Sequence, residues 1–146
     1  MIEPLLVGPA AKIAEVAKSS GLDVSSLEIV DVPHSHGAAA KAVQLVKEGK
    51  AEILMKGSLH TDELMSAIVS REGGLRTGRR ISHVFIMDVP TYHKVLIVTD
   101  AAINIAPALE DKVDISENAI DLAISVGLEK PKVAILCAVE TLTSKM

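Results

Sequence analysis

The feature that most constrains this chain is the alternation of two apolar rhythms. Short runs dense in Val, Ile and Leu are followed by longer stretches whose apolar residues recur every three or four positions. "PLLVGP" (4–9) is a short run closed by Gly8-Pro9, and "AAKIAEVAKSSG" then places Ile13, Val16 and Ala17 at helical spacing, with Gly21 as a stop. "SLEIVDVP" (26–33) predicts a second strand. "HGAAAKAVQLVKEGK" predicts a second helix, with Ala40, Val43 and Val46 on its buried face and Gly49 past its last turn. "AEILM" (51–55) predicts a third strand, and "TDELMSAIVS" (61–70) a third helix with His60 or Thr61 at its N-cap.

Strands separated by helices of this length pair in parallel through right-handed crossovers, with the helices on the sheet faces. The fold class expected is therefore α/β, a three-layer α/β/α arrangement with a mostly parallel sheet. "ISHVFIMDVPTYHKVLIVTDAA" (81–102) interrupts the rhythm. Two β-rich segments flank Pro90-Thr91-Tyr92, which predicts a hairpin over 81–99 and a mixed sheet. Next, "ENAIDLAISVGLEKPKVAILCAVET" predicts a helix with Ile120, Ala123, Ile124 and Leu128 on one face, then a buried strand. Strands near 5, 28, 53 and 134 are expected to run parallel.

At 146 residues the chain has the length of one ordinary domain. Apolar residues make up 49%, yet aromatic side chains are limited to Phe85 and Tyr92, so the core must be aliphatic. A net charge of −4 from mixed signs gives no reason to expect nucleic acid as a partner. No apolar run approaches the roughly 20 residues of a membrane span, and no export signal opens the chain, so no membrane association and a cytoplasmic location are expected. The single cysteine, Cys137, fits a reducing compartment; in an apolar run with no base beside it, it reads as a packed thiol.

In parallel α/β sheets, ligands gather beyond the carboxyl ends of the strands. The first polar cluster there is Lys56, Gly57, Ser58, His60, Thr61 and Asp62, within "ILMKGSLHTDELM". Gly57 permits a tight turn, the N–H groups opening the next helix favour an anion, and Lys56 adds a full charge, so phosphate is the natural guest. The same residues also describe an ordinary loop in which Thr61 or Asp62 caps the helix. The second cluster is Arg71, Arg76, Arg79 and Arg80 in the glycine-rich "SREGGLRTGRR", suited to phosphate or to solvated surface. The third, Asp100 and Asn104 in "TDAAINIAP", can orient a ligand or cap a turn. His34 and His36 have the spacing of a metal pair but lack a third ligand, so they read as capping residues and no metal site is expected.

As a set, "ILMKGSLHTDELM", "ISHVFIMDVP", "VLIVTDAAINIAP" and "ENAIDLAISVGLEKPKVAILCAVET", with the opening "EPLLVGPAAKI", resemble the phosphate acetyl/butyryltransferase family, most closely its phosphate butyryltransferase-like branch. The resemblance implies an acyltransferase that moves an acetyl or butyryl group between coenzyme A and inorganic phosphate. It implies part of an isocitrate/isopropylmalate dehydrogenase-like fold: two α/β domains around a cleft, assembled as a homodimer. It also implies that Lys56, Gly57, Ser58, His60 and Thr61 hold phosphate and the acyl group, with Asp62 in support and His60 the candidate catalytic residue. Arg79 and Arg80 would meet phosphate or the anionic part of coenzyme A, and Asp100 and Asn104 would stand at the cleft. Acyl-coenzyme A and phosphate are then substrates, and no cofactor is required.

Members of that family are about twice as long as this chain, and a C-terminal segment that supplies a catalytic carboxylate has no counterpart here. Residues 1–146 therefore read either as a single α/β domain or as a fragment of a two-domain acyltransferase with little activity alone. The other reading is a non-catalytic phosphate- or ligand-binding α/β module.

Overall fold

The computed structural model describes residues 2–136 and divides the chain into two compact units, one up to Arg76 and one from Thr77. In the first unit, β1 (Leu5–Gly8) leads through α1 (Ala10–Ser19) to β2 (Glu28–Asp31), followed by α2 (Ser35–Lys47) and α3 (Thr61–Ile68). β1 and β2 pair in parallel, from Leu5 opposite Glu28 to Gly8 opposite Asp31. This register brings the Asp31 carboxylate to the start of α1, where Oδ1 accepts a 2.8 Å hydrogen bond from the Ala10 N–H. A strand end thus caps the crossover helix, which no residue within α1 does.

The ends of α1 and α2 follow from glycine. Gly21 and Gly49 have φ of 67° and 70°, a left-handed conformation that a Cβ disfavours. Each lets the chain fold back: Leu22 N–H donates to Ala17 O and Lys50 N–H to Leu45 O, both at 2.9 Å. α2 packs on β1 and α3, and the core of this unit is Ala17, Ala39, Val43 and Leu45. The face predicted for α2 is rotated. Ala40 is exposed and Val46 only half-buried, because α2 must face two neighbours at once. On α1, Val16 is likewise 55% exposed and only Ala17 of the predicted face is fully buried.

In the second unit, β3 (Val84–Met87) and β4 (Leu96–Thr99) form the expected antiparallel hairpin, registered from Val84 opposite Thr99 to Met87 opposite Leu96. Pro90 and Thr91 make its turn, closed by a 2.9 Å bond from Tyr92 N–H to Val89 O. α4 (Leu109–Ser125) packs on β4. It begins eight residues before the predicted Glu117, because the Asp111 carboxylate caps its start through a 3.0 Å bond from the Ala108 N–H. Its buried residues are Ile115, Ala119 and Ala123, whereas Ile124 is 52% exposed.

Two strand expectations are corrected. Residues 51–55 form no strand, and Ile53 and Met55 are 79% and 95% exposed. Residues 132–136 are likewise not a strand; the rest of that predicted element, Cys137 included, lies outside the described residues. An apolar run becomes a strand only where another backbone edge satisfies its N–H and C=O groups. Among the described residues, β1 and β2 pair only with each other, and so do β3 and β4. The architecture is mixed α/β with one small parallel and one small antiparallel sheet, instead of a single mixed sheet with four parallel strands. Among the described residues, no helix is long and apolar enough to cross a membrane.

Candidate functional site

The loop that enters α3 keeps its donors open. Lys56, Gly57, Ser58, His60, Thr61 and Asp62 are all exposed. His60 occupies the N-cap position with extended backbone, and no side chain caps the helix. The alternative of a loop closed by Thr61 or Asp62 is therefore not what forms, and among the described residues no side chain caps the N–H groups of the first turn. Lys56 Nζ folds over the loop and donates to Leu59 O at 3.0 Å and Gly57 O at 3.3 Å, which leaves one of its three N–H groups for a ligand. Asp62 and Glu63 in the first turn oppose an anion. One open hollow on the first unit is lined by Ala17, Lys18, Leu22, Val24, Leu27 and Ile29, and none of the loop residues lines it.

Glu63 is turned away from the loop. Its side chain is 12% exposed, and Oε1 accepts from Ser35 Oγ at 3.0 Å and pairs with His36 Nδ1 at 2.9 Å. This ties the amino ends of α2 and α3 together. His36 is thus a helix bolt, and His34 sits at the N-cap of α2 without a side-chain bond. Sequence reasoning missed Glu63, since nothing local pairs residues 28 apart. Among the described residues, no group of three or more His, Cys, Asp and Glu side chains is placed to hold a metal ion.

The second unit assembles Arg79, Arg80, Asp100 and Asn104 around α4. Arg79 pairs with two carboxylates, Nη1 with Asp121 at 2.5 Å and Nε with Glu117 at 3.2 Å. The hydrogen bond to Asp121 raises its pKa further. Arg80 is held differently. Its N–H donates to Asp114 Oδ2 and its C=O accepts from Asn118 Nδ2, each at 2.8 Å, while Nε donates to Asn104 Oδ1 at 2.9 Å. Asp111 stands 3.5 Å from Nη1.

Asp100 faces inward. Oδ1 accepts from the N–H groups of His83, Ala102 and Ile103 at 3.0, 3.2 and 3.3 Å. Oδ2 accepts from Asn104 N–H at 2.7 Å and from the Asn104 side-chain amide. Partial burial pushes its pKa up, but these donors, Asn104 foremost, overcome that and hold it at about 2. The carboxylate is spent on the fold, and Asn104, whose amide also donates to Ile81 O at 2.9 Å, is the group it orients. The α4 residues that grip the arginines, Asp111, Asp114, Glu117, Asn118 and Asp121, recur every three or four positions. That polar stripe was legible in the sequence but went unread.

The sequence model of the phosphate acetyl/butaryl transferase family matches residues 36–146. A phosphate acetyltransferase of Rhizobium meliloti is 62% identical over 146 residues, 100% of this chain and 46% of that protein. A phosphate butyryltransferase of Clostridium acetobutylicum is 41% identical over 144 residues, 99% of this chain and 48% of that protein. The crystal structure of a branched-chain phosphotransacylase from Enterococcus faecalis V583 superposes with a TM-score of 0.70 at 28% identity, covering 97% of this chain and 59% of that one. The chain spans about half the length of the curated relatives it matches.

Proposed function

The chain belongs to the phosphate acetyl/butaryl transferase family, and from that premise we propose that residues 1–146 carry the phosphate-loop part of an acyltransferase that moves an acetyl or butyryl group between coenzyme A and inorganic phosphate. The observation that carries this reading is the open amino end of α3 behind Lys56, Gly57 and Ser58. Its uncapped N–H groups and the remaining Lys56 N–H suit a phosphate oxygen. In the reaction, a phosphate oxygen bonds to the thioester carbonyl carbon and the C–S bond breaks. Coenzyme A then leaves as a thiolate that takes up a proton, and acyl phosphate remains. Holding phosphate beside the thioester supplies the proximity, and N–H donors stabilise the oxyanion. His60, exposed at the N-cap, is the candidate to protonate the thiolate.

The reading further places this loop in a two-domain isocitrate/isopropylmalate dehydrogenase-like cleft that assembles as a cytoplasmic homodimer. The test combines phosphate titration calorimetry with release of free thiol from acetyl- and butyryl-coenzyme A, for the chain and for Lys56→Ala. Phosphate should bind, and Lys56→Ala should weaken it about tenfold. Thiol release by the purified chain should remain far below that of a full-length relative. An unchanged phosphate affinity in Lys56→Ala, or turnover equal to the relative's, refutes the assignment.

A further inference from the structure

The two adjacent arginines of the second unit are not equivalent. Arg79 is paired with two carboxylates of α4, Asp121 at Nη1 and Glu117 at Nε, whereas the Nε of Arg80 meets a neutral amide. Arg80 has its backbone clamped from both sides by Asp114 and Asn118, so its position does not depend on its side chain. Its side chain is 56% exposed, and its Nε is fixed by Asn104 Oδ1. Asn104 cannot swing, because its amide bridges Ile81 O and Asp100 Oδ2 while its N–H is bound to the same carboxylate oxygen. The outer end of the Arg80 fork therefore points in a direction set three groups deep. Among the described residues its Nη2, like that of Arg79, has no hydrogen-bond partner, but the carboxylate beside Arg80, Asp111 at 3.5 Å, is farther away than either partner of Arg79. At that length the pair is weaker than a direct charged hydrogen bond, and a doubly charged group can replace it.

We propose that Asn104 is a positioning residue that makes Arg80 the phosphate-binding arginine of the second unit, with Asp100 holding Asn104 from behind. A planar fork held at Nε presents its two terminal nitrogens to two oxygens of one phosphate group. This rests on the acyltransferase reading, in which the phosphate belongs either to the inorganic substrate or to coenzyme A.

The experiment is calorimetric titration of the full chain with inorganic phosphate and, separately, with coenzyme A. The proteins are wild type, Arg80→Ala, Arg80→Lys, Asn104→Ala and the Arg80→Ala/Asn104→Ala double variant. Arg80→Ala should weaken one of the two ligands about 10- to 100-fold, and the arm that loses affinity identifies the phosphate recognised. Arg80→Lys, which keeps the charge without the fork, should recover only part of it. Asn104→Ala should cost about tenfold in wild type and nothing further once Arg80 is gone, since its effect passes through that arginine. A purely structural role for Asn104 would cost the same in both backgrounds and would overturn the proposal, as would unchanged binding of both ligands by Arg80→Ala. Binding in wild type with no loss in Arg80→Ala sinks this inference alone, whereas failure of wild type to bind either ligand sinks the acyltransferase reading with it.

Discussion

Replacing Asp100 with Asn keeps the shape of the side chain and removes its charge, which isolates what the carboxylate does. The native group accepts five hydrogen bonds, three at Oδ1 and two at Oδ2, four from backbone N–H groups and one from the Asn104 amide. An amide in its place turns one oxygen into a donor. Whichever way it flips, at least two N–H donors then face an NH2 group, at a cost of about 2 kcal/mol. The pH dependence follows from linkage. The folded pKa of about 2 lies below the ordinary 3.8, so this carboxylate stabilises the fold fully above about pH 4 and loses that contribution as pH falls through 3.8 toward 2. The full shift corresponds to about 2.4 kcal/mol, and solvent screening of a partly exposed site reduces it to about 1 kcal/mol. Urea unfolding of wild type and Asp100→Asn should therefore show midpoints about 1 M apart at pH 7, converging as pH drops from 4 to 2. Equal midpoints at pH 7, or a gap that stays constant across that window, would refute the account of Asp100 as an ionised clamp.

Other expectations follow from particular contacts. A Cβ on Gly74 would collide with the carbonyl oxygens of Ile68 and Ser70 and lie 2.8 Å from Ser70 N, all backbone atoms that cannot step aside. Gly74→Ala should therefore destabilise the turn after α3 by about 2–3 kcal/mol in thermal or urea unfolding, and a loss below about 0.5 kcal/mol would contradict it. Glu63→Ala removes the shared partner of Ser35 and His36 and should cost about 1–2 kcal/mol. Adding Ser35→Ala to that variant should change little, because both report one linkage, and full additivity would show that they act separately.

What the sequence determined by itself is local. The helices of α1 and α2 stop where Gly21 and Gly49 allow a left-handed residue, and the hairpin turns where Pro90 presets its backbone. These depend on residues a few positions apart and are therefore readable along the chain. The segments that carry the family motifs are local too: the loop from Lys56 to Asp62, the arginine pair, and Asp100 with Asn104.

Tertiary structure decided the rest. Ile53 and Met55 alternate like strand residues, but a strand exists only beside another edge, and these described residues have none. Asp100 reads equally as a ligand-orienting or a turn-capping carboxylate until the hairpin brings the His83 N–H to its Oδ1, 17 residues away. Arg79 and Arg80 are adjacent and chemically identical in the sequence. They become different because α4 lays Asp121 and Glu117 against one, while the turn after β4 lays Asn104 against the other. Charge and hydrogen-bonding capacity belong to the residue, but whether they are spent inward or offered outward depends on neighbours that only folding brings within about 3 Å.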